Sequence, residues 1–558
     1  MFQRSRRDFL EDSIFATAAA LAAGSARQLF ADEEAAGNPT LKKEKVPVDV
    51  QVPSLPDDNL VTTYRHAATK NVLAALNPEV FPGYFNVCAG EKGYGSIYPT
   101  TFPSLDGHQM TDALLWLGEV EVAKLNWDYV RSFQRPNGCL PLAILPALAG
   151  KPAGPEGSKV FIDANGGLYE HPTPGNPLAA LAGPTYIQNA DVIYRHTLDR
   201  RWLKAQIGSV NLAADYLISL TTPAGVVGGA GYYVEYPSRI DSDGVSQCHA
   251  VDALRRVATL NRVLEDEKAA AGYEQIADRI ASHFTTKFWA DTHFAEYLHP
   301  VRGFISSHGL TDVDWAALAT GVALPQQQTV LWPQLREETA FYYGGMPTGI
   351  STRPETYEDW EFSPPSNRRD LAAMGRVWYI ESWARSRFRD AEGLLDGLRR
   401  VGDEGRKHDY SWRERYLPSS TDSTVPLGAE RYCEYPANFI RIVNRFLLGI
   451  DLRLDGSILL APNVTPAFWD RGFGHVLRVR GTSIEFQLHR DSIDVTYSGP
   501  AAQRLGLRPP ARDDAARWKV TSQGTPCQIS EKEGIVWLTL PSTKDAAPRH
   551  FRIERDAG

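Results

Sequence analysis

Clustered basic charge is largely missing from this chain. Beyond the N-terminus no Lys/Arg-rich block interrupts it, and the formal net charge is -8, which excludes the footprint of a nucleic-acid binder. Cysteine is scarce too. Cys88, Cys139, Cys248, Cys433 and Cys527 stand far apart with no Cys-x-x-Cys spacing, so they give neither a metal site nor a disulfide framework and read as small buried hydrophobes. No Gly-x-Gly-x-x-Gly run opens a helix after a strand, and strands do not alternate with helices, which argues against a dinucleotide-binding or TIM-barrel plan. No strict helical repeat is present. The Ala-rich run from Ile14 to Ala23 is too short to span a bilayer as a permanent helix. What remains is 558 residues that are 43% hydrophobic, 23% charged and 10% aromatic. That composition suits a soluble protein with one large domain and a smaller one, whose partner is a small or neutral molecule.

The start of the chain reads as an address. In "SRRDFL", Ser5 to Leu10, two arginines precede Phe-Leu, and the weakly hydrophobic Ile14–Ala23 run follows. This matches a twin-arginine export signal, read by the twin-arginine machinery. Residues 1–31 are the expected signal peptide, with cleavage after Ala26 or Ala31, and the mature protein is expected to be periplasmic or secreted. Residues 32–58 are polar and Pro-punctuated, as in a linker.

From residue 59 to 450 the pattern is helical, with about ten to twelve helices in pairs. "MTDALLWLGEVEVAKLNWDYVRSF" places Met110, Ala113, Leu114, Leu117 and Val120 on one face. The same period recurs through Ala250, Leu254, Val257 and Leu264, and through Ile276, Ile280, Phe284 and Phe288. Loops rich in Gly, Pro and Asn separate the helices, so a closed or toroidal array of helical hairpins with functional loops on one face is expected. Residues 451–558 change character. "SIEFQLHRDSIDVTYSG", "RWKVTSQG", "GIVWLTLPS" and "HFRIERD" alternate polar and apolar residues in short runs, which predicts an antiparallel β-sandwich domain.

Carboxylates stand beside aromatics in three places, and cleaving a glycosidic bond needs two carboxyl groups, one protonated and one ionised. Tyr and Trp faces pack against sugar rings, and polar side chains grip hydroxyls. In "FPSLDGHQMTDALLWLG", Asp106 and His108 lie just before a helix, where the Asp can cap and also hold a sugar hydroxyl. In "GYYVEYPSRIDSDG", Glu235 follows Tyr232 and Tyr233 and precedes Arg239 and Asp241, ahead of a helix starting near Ser246. Losing water among aromatics would raise its pKa, as a general acid requires. In "YSWRERYLPSS", Glu414 sits on a loop after Trp412 between two arginines that favour the ionised form a base needs. Glu430 and Glu434 compete for that role, Glu434 reading more simply as the acidic first turn of the closing helix. A fourth run, Glu355 to Glu361, reads as a solvated face in which Trp360 is a possible sugar platform.

The order of these features resembles the six-hairpin (α/α)6-barrel glycosidases, which include processing α-glucosidases, trehalases and α-L-rhamnosidases. The likeness covers roughly residues 60 to 480 and rests on "LDGHQMTDALLWLG…NGCLP", "YIQNADVIYRHTLDRRWLKAQIGSVNLAADYLIS", "EYPSRIDSD", and "WRERYLPSS" with "FIRIVNRFLLGI" and "GSILLAPNVTPAFW". It implies an (α/α)6 catalytic domain over 59–450 and a β domain over 451–558. It also implies an exo-acting glycoside hydrolase that removes a terminal sugar from an oligo- or polysaccharide, with inversion. Glu235 would be the acid and Glu414 the base; Asp106, His108, Tyr233, Arg239, Asp241, Trp360 and Trp412 would hold the sugar. In the glucosidase and trehalase branch the donor is an Asp two residues before the Ser, where this chain has Tyr236; in the rhamnosidase branch it lies near "GPTYIQNAD", where the acid is Asp191. No metal or organic cofactor is required. Two other classes share the plan: a polysaccharide lyase using Tyr233, His249, Arg239 and Asn367, and a carbohydrate-binding barrel without turnover.

Overall fold

Short polar residues at helix starts punctuate the helical part into alternating long elements. Asp199, Asp243 and Asp390 accept backbone N–H groups of the first turns that follow them, and Thr311 with Asp314 makes a reciprocal capping box. The computed structural model describes residues 50–78, 82–89, 104–141, 143–146, 161–162, 167–170, 180–228, 242–362, 365–419, 423–510, 518–520, 528–543 and 547–555. Its helices are α1 (Asp58–His66), α2 (Ser104–Trp116), α3 (Val120–Ser132), α4 (Ala182–Thr197), α5 (Arg200–Ser219) and α6 (Gly244–Val263). They continue with α7 (Glu267–Lys287), α8 (Asp312–Thr320), α9 (Pro325–Glu337), α10 (Gly375–Arg387), α11 (Ala391–Lys407) and α12 (Glu434–Ile442). The single helical face expected from Met110 to Val120 is broken into two helices. Gly118, at φ +90°, turns the chain between α2 and α3, a conformation that glycine adopts freely.

Six helices pack in sequence around a closed circuit. α2 packs on α4, α4 on α6, α6 on α8, α8 on α10, α10 on α12, and α12 returns to α2. The others lie outside: α3 on α2 and α4, α5 on α4 and α6, α7 on α6, α9 on α8, α11 on α10, and α1 on α11 and α12. Burial follows that placement. In α4 every residue from Ala182 to Tyr194 is buried, and in α8 every residue from Asp312 to Ala319. The outer α11 instead buries a stripe containing Leu394, Leu395, Leu398 and Val401, each worth about 1.5–3 kcal/mol.

Two short hairpins, β4 (Tyr297–His299) with β5 (Gly303–Ile305) and β6 (Arg413–Leu417) with β7 (Val425–Glu430), interrupt the helices, as does a small sheet of β1 (Ala143–Pro146), β2 (Phe161–Ile162) and β3 (Gly167–Glu170). After α12 come β8 (Ile450–Leu452), β9 (Ile458–Leu460), a short α13 (Pro466–Arg471), β10 (Phe473–Val479), β11 (Thr482–Leu488), β12 (Ser492–Ser498), β13 (Gln503–Leu507), β14 (Trp518–Val520), β15 (Gln528–Lys532), β16 (Ile535–Leu540) and β17 (Arg549–Arg555). They form two five-stranded sheets, ordered β10-β11-β12-β17-β14 and β15-β16-β13-β9-β8. Only β9 and β13 pair in parallel among these described strands. Alternate residues such as Ile493, Val495 and Tyr497 turn inward, and both sheets feed the core that the helices share. Residues 50–558 make one compact unit. Among the described residues no helix is long and apolar enough to cross a membrane.

Hydrogen bonds close the circuit between its first and last members. Asp112 on α2 binds Arg441 Nε at 2.8 Å and Arg445 Nη2 at 2.6 Å, both from α12 and its continuation. Asn438 Nδ2 donates to Gln109 Oε1 at 2.8 Å one turn nearer the N-terminal end. Burial alone would raise the Asp112 pKa; the guanidinium groups of Arg445 and Arg441 outweigh it and hold the carboxyl far below its usual range. Removing the carboxylate strands two guanidinium groups. Asp112→Ala is expected to cost about 3–5 kcal/mol, measured as a lowered denaturation midpoint; a change below about 1 kcal/mol would mean that the pair adds nothing to closure.

Candidate functional site

The N-terminal turns of three circuit helices bring a group of carboxyls to one end of the barrel. Asp106 is the third residue of α2, inside the first turn and not ahead of it as its capping role would require. Its Oδ2 accepts from Tyr432 OH at 2.9 Å, while its Oδ1 is buried without a hydrogen-bond partner. Arg376, in the first turn of α10, chelates Glu434, the first residue of α12: Nε to Oε1 at 3.1 Å and Nη2 to Oε2 at 2.8 Å. Burial raises the Asp106 pKa; Arg376 opposes this, and the charges of Glu434 and Glu414 add to it, leaving it at about 7.

Glu414 arrives from a different element. It lies on strand β6 and not on a loop, and is 8% exposed. Arg415 Nη1 holds its Oε1 at 2.5 Å, and Arg415 Nε is anchored on Asp370 at 2.7 Å. Across the hairpin Gly428, at φ +83°, lets the carboxylate approach: a Cβ there would lie 2.6 Å from Glu414 Oε2.

Other residues named from sequence are placed differently. Glu235, Tyr233, Arg239 and Asp241 lie outside the described residues. His108 is 8% exposed and uses both ring nitrogens within the protein. Arg441 Nη2, which can only donate, meets its Nε2 at 3.2 Å, so Nδ1 carries the proton and donates to Asn189 Oδ1 at 2.7 Å. It therefore props Arg441 in place of gripping a sugar. Burial first and the Arg441 charge second lower its pKa to about 3. Trp412 is a core residue, 0% exposed with its indole N–H on Val401 O at 3.0 Å; no sugar reaches its face. Trp360 is half-buried, with the Arg302 guanidinium 4.0 Å over its ring. Glu430, at the end of β7, pairs with Arg413 at 2.6 Å. Asp191 is locked by Arg195 and Arg256, and Cys88, Cys139, Cys248 and Cys433 are buried.

The acidic run read as a solvated face hides a second buried cluster. Glu361 is 3% exposed and Glu296 1%. His308 lies between them, Nδ1 at 2.5 Å from Glu296 Oε2 and Nε2 at 3.3 Å from Glu361 Oε2. Tyr357 stacks on its ring at 3.7 Å and donates its OH to Glu296, and Tyr297 OH donates to Glu361 at 2.5 Å. Burial opposes the charge on His308, but the two carboxylates prevail and raise its pKa to about 9. Tyr297 also bridges Asp243, the cap of α6, so the cluster braces the backbone that follows the Glu235 segment. Hydrophobic spacing could not reveal it; a His within reach of several Tyr and Glu residues was the available sign. Arg376 and Tyr432 were missed for the same reason. Among the described residues no group of three or more His, Cys, Asp or Glu side chains could hold a metal ion.

No family model matches the sequence, and no curated protein does. Solved structures do match. A GH78 family rhamnosidase of Bacillus sp. GL1 superposes with a TM-score of 0.58 at 13% identity, over 79% of this chain and 40% of that one. The α-L-rhamnosidase of Dictyoglumus thermophilum gives 0.53 at 14% identity, over 93% of this chain and 52% of that one. A third, described as a sialidase, gives 0.57 at 12% identity, over 79% and 38%. The chain shares its fold with α-L-rhamnosidases. The resemblance to the (α/α)6-barrel glycosidases thus stands for the fold, and the chain spans between 40% and 52% of the length of the two rhamnosidases. At such identities the likeness fixes architecture; chemistry must come from the residues.

The Asp106 carboxyl makes a signed prediction. Its folded pKa of about 7 lies above the unfolded value, so the stability it contributes is complete at low pH and is lost as pH rises through about 7. Asp106→Asn is expected to remove that loss: its melting temperature should gain on wild type between about pH 4 and pH 7. Parallel curves for the two proteins would overturn the assignment.

Proposed function

We propose that the protein is a glycoside hydrolase which removes a terminal sugar from an oligo- or polysaccharide with inversion, and that it reaches the periplasm or cell exterior through twin-arginine export. The observation that carries the reading is the meeting of Asp106, Glu414, Glu434 and Arg376 at the N-terminal end of the helix circuit, on a fold shared with rhamnosidases. The packing order of the helices supports a six-hairpin barrel over 59–450, and the two C-terminal sheets support a β-sandwich over 451–558.

Glu414 is the base of this reading. Arg415 fixes Oε1, and Oε2, which accepts only a long bond from Ala429 N at 3.4 Å, takes a proton from a water molecule. The water oxygen bonds to the anomeric carbon from the face opposite the leaving group. On that other face Glu235, the acid, gives its proton to the glycosidic oxygen as the C–O bond breaks, and the proton gained by Glu414 returns through solvent. The products are a free sugar of inverted configuration and the shortened alcohol. Asp106, protonated below about pH 7 and with Oδ1 unpartnered, suits a sugar hydroxyl. The chemistry needs no metal or organic cofactor.

Glu414→Gln keeps size and burial while removing the base. Turnover on a panel of aryl glycosides is expected to fall by about 10²–10⁴-fold with an unchanged melting temperature. Wild-type rates in that variant would sink the reading.

A further inference from the structure

The bore of the circuit holds a cavity of about 310 Å³ that adjoins the candidate site at Arg376 and extends away from it. It begins at His108, Gln109 and Arg376 in the early turns of α2 and α10 and runs to Arg387, Arg445 and Asp451 at the other end of the barrel. Asp106 and Glu414 do not line it. The pairs Gln109–Asn438 and Asp112–Arg441 climb in register along α2 and α12, and Gln188–Asp252 and Asp191–Arg256 do so along α4 and α6. The paired circuit helices therefore run in the same direction, and the exposed lining residues Arg387 and Asp451, against buried His108 and Gln109, put the cavity mouth at the C-terminal ends.

The geometry points to a second binding site there, for a ligand carrying an oxyanion, a carboxylate or phosphate, on a body no larger than a monosaccharide. Four observations carry it. The first is a buried donor without an acceptor: Gln109 is 2% exposed, and its Nε2 has no partner. Its orientation is forced, because Arg441 Nη1 donates to Asn438 Oδ1 at 2.6 Å, which turns Asn438 Nδ2 toward Gln109 and demands Oε1 on that side. The free Nε2–H groups belong to a side chain that lines the cavity.

The second is surplus positive charge. Arg256 and Arg195 are balanced by Asp191 and Asp252, but Arg441 and Arg445 share the single carboxylate of Asp112. Arg387 lines the mouth and makes no ion pair among the described residues. The one other lining carboxylate, Asp451, reaches Arg453 at 3.3 Å. Third, planar guanidinium groups on separate helices suit a planar or tetrahedral oxyanion better than a lone cation would. Fourth, Tyr379, Trp383 and Phe446 line the same space and offer apolar surface to a small body. The opposing effect is the helix dipole: C-terminal turns disfavour anions by about 0.3–1 kcal/mol each at exposed ends. The surplus guanidinium groups meet that field, so the test must separate ligand capture from neutralisation of the helix ends.

Calorimetric titration of the whole protein at neutral pH with inorganic phosphate, glucuronate and glucose does so. Saturable binding of phosphate or glucuronate but not glucose is expected, weakened at least about tenfold by Gln109→Glu and by Arg387→Gln and retained by Glu414→Gln. Phosphate alone would name a phosphate group as the ligand and glucuronate alone a carboxylate. No binding at millimolar concentrations, equal binding of glucose, or binding unaffected by both cavity variants would overturn the site and leave the arginines as neutralisers of the helix ends. Loss in Glu414→Gln alone would move the anion to the other end of the barrel and overturn it equally. Because binding is read without turnover, the outcome does not depend on the hydrolase reading.

Discussion

One carboxylate held by two guanidinium groups ties the first helix of the circuit to the last. Asp112 and its partners Arg441 and Arg445 are 329 and 333 residues apart in sequence, so nothing local favours their meeting. Packing of successive helical pairs brings them together, and then the buried charge makes any other closure costly. Hydrophobic contact between α2 and α12 is tolerant of small slips; a bidentate ion cluster with Asn438 on Gln109 one turn away is not. The register it imposes sets where every side chain at the two ends can reach.

That register is why Asp106, Arg376, Tyr432 and Glu434 converge. Each lies within two residues of a helix start, or just ahead of one, and the starts lie at one level because the helices run the same way. Helix N-termini favour carboxylates, yet Asp106 is raised to about 7. Desolvation therefore outweighs the dipole there, as it does when a carboxyl is enclosed with like charges and only one partly committed arginine. Arg376 chelates Glu434 and opposes the rise at Asp106 only in part, so a carboxyl that titrates near neutrality stands beside a salt-bridged one. A carboxyl raised toward neutrality is the property that acid–base chemistry needs.

The legibility of the sequence divides along the same physical line. Outer helices such as α11 have one wet face, so their apolar stripe of Leu394, Leu398 and Val401 shows the period of a helix. Inner helices such as α8 are buried all round, Asp312 and Asp314 included, so no wet face sets up a period. The β region was readable because alternation in β11, β12 and β17 reflects one buried face, while β9 was not singled out, since its run "ILL" buries every residue. Glu414 was singled out through its Trp-Arg-Glu-Arg-Tyr setting, but its strand was not, and the same setting misled on Trp412, whose ring fills the space beside Gly405. His308 and its two glutamates come from segments up to 65 residues apart, so only three-dimensional contact exposes them.

The two ends of the barrel are then opposite solutions to one electrostatic problem. At the N-terminal end, carboxyls occupy the favourable side of the helix dipoles and are kept few enough in countercharge that one of them retains its proton near neutrality. At the C-terminal end, guanidinium groups occupy the side that favours cations, and more of them are present than the carboxylates between the helices can match. If those arginines served only to neutralise helix ends, nothing would account for a buried Nε2 of Gln109 left without an acceptor on a side chain that lines the cavity, since an unpaired buried donor costs about 1–3 kcal/mol. A water molecule can satisfy it at small cost, but water does not answer the surplus charge. A bound oxyanion answers both at once, which makes the far end of the bore a place where ligand chemistry and barrel stability are the same interaction.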